Sequence, residues 1–180
     1  FKFGKNRSGN IQFLKSFFNI KIAKQKKINN LKISSSTIRK FLQQGKIKQA
    51  NHLLGRHWSI SGKVVKGNRI GRKIGFKTAN VYLDEYVNPM YGVYAVKVKF
   101  DNKIYKGISN FGIAPTIRNN KKPVLEIHFF KKIKNIYNKT VNVDFISFVR
   151  KEKKFKSKKN LTGQIKKDIN KAKKILENAR

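Results

Sequence analysis

The sequence predicts a mainly β fold, an antiparallel barrel or sandwich, with a helix-rich segment before it and one helix after it. Three observations carry this. From Trp58 onward, short segments alternate apolar and polar residues at close spacing, with little helical pattern between them. Asp101-Asn102 separates two of these segments by a turn of hairpin length. The last segment, SKKNLTGQIKKDINKAKKILENA (157–179), repeats apolar residues at helical spacing.

The elements follow in order. IQFLKSFF (11–18) reads as helix, and FNIKIAK (18–24) alternates as a strand would. In KISSSTIRKFLQQG (32–45), Ser35 or Ser36 suits an N-cap. Ile38, Phe41 and Leu42 share a face, and Gly45 stands where a helix ends in a left-handed residue. IKQANHLL (47–54) is a second short helix closed by Gly55. The pattern then changes, which places a boundary near residues 55–58. Strands are predicted in SISGKVVK, IGFKTANVYL, YGVYAVKVKF, KIYKGISNFG, VLEIHFF and TVNVDFISFV. In the final helix, Leu161, Ile165, Ile169, Ala172 and Leu176 share one face, with Ser157 or Asn160 as the cap.

Composition narrows the chemistry. Of 180 residues, 39% are hydrophobic, so a core can form; no apolar run is long enough to span a membrane. Cysteine is absent, which excludes disulfides, thiolate nucleophiles and cysteine metal sites and agrees with a cytoplasmic setting. The N-terminus has neither an initiator Met nor a signal peptide's apolar stretch, so the sequence reads as beginning partway through a longer protein. Lys and Arg number 44 against 8 Asp and Glu, a balance that attracts anions. The lysines are dispersed rather than gathered in one stripe, and general drift towards Lys, Asn and Ile accounts for them equally well. A basic barrel that binds nucleic acid is the rival reading.

With so few acids, each can be weighed. Residues 1–83 contain none. Asp101 belongs to its turn, and Asp84 and Glu85 end a strand. Asp144 and Glu152 lie among cations as ion-pair candidates, and Asp168 and Glu177 among the lysines of the last helix. Glu126 differs: it stands mid-strand with Val124, His128 and Phe130 on its face, where a carboxylate is costly unless paired or used. His128 reads as an ordinary half-buried histidine. A salt bridge and a catalytic base are both open for Glu126.

Two further stretches could hold anions. GRKIGFKTAN (71–80) puts Arg72 and Lys73 between Gly71 and Gly75, where mobile backbone N–H groups can approach a phosphate. A basic turn between two strands would look the same. Thr78 and Asn80, two apart, offer neutral oxygen ligands of the kind Mg²⁺ accepts beside a phosphate; an edge strand's polar face would look the same. In ISSSTIRK, Ser35, Ser36, Thr37 and Arg39 cluster at a helix start, where free N–H groups favour an anion or where a hydroxyl simply caps the helix.

The order of motifs resembles the bacterial bifunctional riboflavin kinase/FMN adenylyltransferases, or FAD synthetases. FGKNRSGN and ISSSTIRKFLQQGKIKQANHLLGR resemble the end of the adenylyltransferase module. GKVVKGNRIGRKIGFKTANV resembles the kinase's glycine-rich loop and Pro-Thr-Ala-Asn signature. YGVYAVKV, GISNFGIAPT, LEIHFF, IYNKTVNVDFISFVRKEKKF and the last helix continue the same order across essentially the whole chain.

The resemblance implies a six-stranded antiparallel Greek-key barrel with a C-terminal helix at 58–180, preceded at 1–57 by the truncated, helix-rich end of an α/β nucleotidyltransferase domain. It implies transfer of the γ-phosphate of ATP to the 5′-hydroxyl of riboflavin, giving FMN and ADP. Neither a nucleic acid nor a membrane is an implied partner, and the oligomeric state is left open. Carried over by position, Gly71, Arg72, Lys73, Gly75 and Thr78 would contact ATP. Thr78 and Asn80 would hold Mg²⁺, and Glu126 would be the base on the ribityl hydroxyl. Asn110 and Thr116 fall in a segment lining the same region. Ser35, Ser36, Thr37 and Arg39 would be ATP contacts of the adenylyltransferase. The sequence departs from the family pattern at Lys77 for the signature proline, Lys131 for an acid and Asn138 for a glycine. The adenylyltransferase's His-x-Gly-His loop would lie upstream of residue 1, so FMN adenylyltransferase activity is expected only of a full-length protein.

Overall fold

The computed structural model describes residues 2–28, 30–67, 75–83, 85–113, 123–133 and 135–179. The chain divides into two compact units, Phe1–Lys32 and Ile33–Arg180. The boundary expected at 57/58 concerns the origin of each module, whereas contacts divide the chain at 32/33. Helices 35–54 therefore group with the strands that follow.

In the first unit a 3₁₀ turn, Lys5–Arg7, precedes α1, Ile11–Lys15. Asn10 caps α1 by accepting from the Phe13 amide at 3.0 Å. Phe13 packs its ring against Phe17 at 5.1 Å. The expected strand at 18–24 does not form. The ladder lies further on, between β1 (Lys27–Ile28) and β2 (Leu31–Lys32), which pair antiparallel. Alternation gives a strand only where a partner edge can satisfy its backbone groups, and the ladder of this unit involves 27–32 instead.

In the second unit α2 spans Ser35–Gln43 and α3 Ile47–Leu54. The cap of α2 is Ser34, one residue before the expected pair; its hydroxyl accepts from the Thr37 amide at 3.2 Å. Gly45 and Gly55 follow the two helices with φ of 70° and 66°, the left-handed conformation anticipated at both ends. Leu42, Ile47 and Ala50 are buried and join the main core.

Six strands close a barrel: β3 Trp58–Val65, β4 Ala79–Tyr82, β5 Gly92–Phe100, β6 Lys103–Ile113, β7 Pro123–Phe129 and β8 Thr140–Lys151. Around the barrel the order is β3-β4-β7-β6-β5-β8, and all pairs are antiparallel. Three consecutive strands, β5, β6 and β7, lie side by side, and β8 returns to flank β5. That is the Greek key the family resemblance implied. Asp101 and Asn102 turn the β5–β6 hairpin with φ of 46° and 56°, the pattern of a type I′ turn. The predicted strand in IGFKTANVYL is shorter than its alternation suggests, because the ladder of β4 begins only at Ala79.

Alternation decides which face each residue takes. Ile60, Val64, Val81, Tyr94, Val96, Val98, Phe111, Leu125, Ile127, Val143 and Phe145 fill the interior. Tyr94 donates its hydroxyl to the Met90 carbonyl, and burial pushes its pKa up. On the outside, Val93, Ala95, Ile108, Ile146 and Val149 form a second core with Ala172 and Leu176 of α4, Lys158–Glu177. Ser157 caps α4, accepting from the Asn160 amide at 3.2 Å. Asp168 is not a surface partner of neighbouring lysines. It is buried on the inner face of α4, where it accepts from Arg150 Nε and from Gln164 at 2.8 Å each and forms an ion pair with Arg150 Nη2 at 2.8 Å. The expected ion pair of Asp144 does form, with Lys99 at 3.0 Å. Among the described residues, no helix is long and apolar enough to cross a membrane.

Candidate active site

The polar side chains that interrupt the outer faces of β4, β7 and β6 fall into one row. In the ladders Asn80 pairs with Glu126, and Glu126 pairs with Asn110. Their neighbours Val81, Leu125, Ile127 and Phe111 are interior, so the row lies outside the barrel. Residues some 46 positions apart in the chain thus become lateral neighbours, at the spacing where opposite side chains meet. Asn80 is 6% exposed. Gly67 contributes to that cover, because a methyl group at this position would overlap the Asn80 amide.

Glu126 is half-buried, and its carboxyl pKa is raised, first by burial and then by the negative charge of Glu152. Glu152 was expected in an ion pair. Instead its carboxylate accepts from Asn110 Nδ2 at 3.3 Å, and none of the ion pairs among the described residues includes it. Glycine at 112 makes room, since an added methyl would run into the Glu152 carboxyl. Asn110 thus stands between two carboxylates. Sequence reasoning missed this role of Glu152, because in the run RKEKKF it has the signature of a solvated charge.

Thr78 immediately precedes β4 and is half-buried. His128, also half-buried, sits two residues beyond Glu126 on the same outer face. Its Nδ1 lies 3.0 Å from the Lys77 carbonyl, and its ring meets that of Phe76 edge-on at 5.4 Å. Gly75 is exposed with φ of 87°. Gly71, Arg72 and Lys73, and Thr116, lie outside the described residues. Ser35, Ser36, Thr37 and Arg39 stand on the first turns of α2, which packs on α3, and are not part of the row. Two clefts, of 530 Å³ beside Met90, Tyr91 and Glu152 and of 620 Å³ beside Asn51, Arg56 and His57, are lined by neither Asn80 nor Glu126.

The donors suit a hard cation that shares its shell with phosphate and water. They are a threonine hydroxyl, an asparagine amide oxygen and one carboxylate, and among the described residues no three His, Asp or Glu converge to make an all-protein cage.

Residues 54–176 match the family described as Flavokinase, riboflavin kinase. The chain belongs to the riboflavin kinase family. It is 44% identical over 177 residues to the bifunctional riboflavin kinase/FMN adenylyltransferase of Buchnera aphidicola subsp. Schizaphis graminum, covering 94% of this chain and 57% of that protein. With the Haemophilus influenzae protein of the same name it shares 41% identity over 179 residues, covering 96% of this chain and 58% of the relative. The chain therefore spans a little over half the length of the curated relatives it matches. The solved structure of a macrolide-efflux protein from Streptococcus pneumoniae is similar over all of this chain and 58% of its own, at TM-score 0.83 and 30% identity. The family and the barrel expected from the motif order are thus both found. Riboflavin kinases take riboflavin and ATP as substrates and typically use a divalent metal.

Proposed function

We propose that this chain transfers the γ-phosphate of ATP to the 5′-hydroxyl of riboflavin, with Glu126 as the base. The observation that carries this reading is the row Asn80–Glu126–Asn110 on three adjacent strands. Phosphoryl transfer needs positioning, a cation on the phosphates and a group that orients the nucleophile. A carboxylate whose pKa is raised holds a proton better than an ordinary one, which suits it to accept the hydroxyl proton as the new P–O bond forms. Thr78 and Asn80 would hold Mg²⁺, which when bound neutralises charge on the β- and γ-phosphates. Gly71, Arg72, Lys73 and Gly75, with Thr78, would contact the ATP phosphates.

Residues 1–57 are read as the end of an FMN adenylyltransferase module and 58–180 as the kinase. On that reading Ser35, Ser36, Thr37 and Arg39 contact ATP for adenylyl transfer in the bifunctional cytoplasmic protein. Phe111 and Phe145 are interior and Phe100 belongs to the same core, so these strand aromatics offer no stacking platform to a nucleic acid.

The test is conversion of riboflavin to FMN with ATP and Mg²⁺, followed by chromatography. The unaltered chain should form FMN. Glu126→Gln should lower turnover by about 10²- to 10⁴-fold, the usual contribution of a general base, while ADP still binds. Full turnover in that variant refutes the role of Glu126.

A further inference from the structure

We infer that His128 is a positioning residue: it clamps the Lys77 carbonyl and so fixes the segment carrying Thr78 and Asn80 opposite Glu126. The inference rests on the kinase reading of this site.

The β4–β7 ladder pairs Ala79 with Ile127 and goes no further in that direction. One residue on, His128 faces the chain just before β4. Its side chain takes over there, with Nδ1 3.0 Å from the Lys77 carbonyl oxygen. A carbonyl only accepts, so Nδ1 carries the proton. Phe76, the residue before Lys77, meets the same imidazole edge-on at an interplanar angle of 81°. One side chain on β7 thus holds two consecutive residues of the approach to β4.

The consequence for the site is geometric. Lys77 has no fixed φ of its own, so the direction of its peptide group needs an outside constraint. Thr78 is the next residue, and Asn80 is held in register by β4. Only Thr78 therefore depends on how the chain enters the strand. Releasing the Lys77 carbonyl lets the hydroxyl of Thr78 swing relative to Asn80 and Glu126, which weakens the grip on nucleotide without touching the ribityl side.

Two substitutions separate the hydrogen bond from the ring. His128→Phe keeps a ring against Phe76 and loses the donor; His128→Asn keeps a donor near the place of Nδ1 and loses the ring. Each is measured for KM of ATP and of riboflavin, for ADP affinity with Mg²⁺ by calorimetry, and for thermal unfolding. His128→Phe should raise the ATP KM and the ADP Kd about three- to tenfold, the effect of one neutral hydrogen bond, with the riboflavin KM within about twofold. His128→Asn should recover most of the loss. Wild-type nucleotide affinity in His128→Phe overturns the inference. So does a parallel rise in both KM values with falling thermal stability, or an Asn variant as weak as the Phe variant. If the unaltered chain makes no FMN yet its ADP affinity follows this pattern, the kinase reading fails and the clamp stands.

Discussion

Asp168→Ala should unfold the protein far more readily than any surface substitution on the same helix. The Asp168 side chain is 6% exposed and that of Arg150 17%. Two hydrogen bonds end on this carboxylate, one from Arg150 Nε and one from Gln164, and Arg150 Nη2 adds an ion-pair contact. Removing one partner of a buried pair costs about 3–5 kcal/mol, because the other charge is left without compensation. Arg150 keeps some exposure, and its Nη1 still donates to the Lys151 carbonyl, so the lower end applies, about 3 kcal/mol. For a chain of this size each kcal/mol moves Tm by ~2–4 °C. A fall of roughly 6–12 °C is therefore expected by calorimetry or circular dichroism. The paired variant Arg150→Met with Asp168→Leu removes both charges and should lie much closer to wild type. A loss under about 2 °C for Asp168→Ala, against that estimate, would show that the carboxylate is solvated and the described burial of α4 is wrong.

Two other predictions concern the row on β4, β7 and β6. Glu126→Gln should stabilise the fold at neutral pH: a carboxyl with a raised folded-state pKa costs stability when ionised. The gain should be full above the folded pKa, shrink as pH falls through it, and vanish below the unfolded carboxyl's pKa; thermal melts across pH 3–8 read this out, and a gain that grows towards acid contradicts it. Gly107→Ala and Gly112→Ala should differ. A methyl at 107 comes within 2.7 Å of the His128 carbonyl, backbone that the β6–β7 ladder holds in place, and should cost about 1–3 kcal/mol. At 112 it meets only the end of the exposed Glu152 side chain, so Tm should hardly move; equal losses would put Glu152 elsewhere.

How much of this was legible in the sequence depended on what fixed each feature. The barrel strands were legible because period-two alternation is a local property: Val93, Ala95 and Ile108 had to face away from Tyr94, Val96 and Phe111 whatever the partners were. The ends of α2 and α3 were legible to within a residue, since Gly45 and Gly55 are required by backbone conformation, whereas α1, expected over 11–18, stops at Lys15. Capping was less so, because Ser34, Ser35 and Ser36 are chemically alike and only the entry angle of the chain chooses among them. Asp168 was misread, because Lys171, three residues on, donates to the Val149 carbonyl instead, while the partner of Asp168, Arg150, comes from a strand eighteen residues earlier. Residues 18–24 alternate well and still form no strand, since pairing needs an edge that a local pattern cannot supply.

The candidate site can be placed against the fold. Six strands leave an interior that side chains fill, and Tyr94, Phe111 and Phe145 do fill it. A ligand must then lie on the outside. The outer face of β5, β8 and part of β6 is taken by α4, which seals Val93, Ala95, Ile108, Ile146 and Val149. Among the outer faces that α4 leaves uncovered is the stretch where β4, β7 and β6 run side by side, and there the sequence places a carboxylate and two amides instead of apolar residues. Glu126 stood out by its own strand pattern. Asn110 and Glu152 did not, because an asparagine near a strand's end and a glutamate in a basic run have ordinary explanations one at a time. Only register joins them: β7 between β4 and β6 turns three unremarkable polar residues into neighbours, and Gly112 lets the charge of Glu152 act on the acid at their centre.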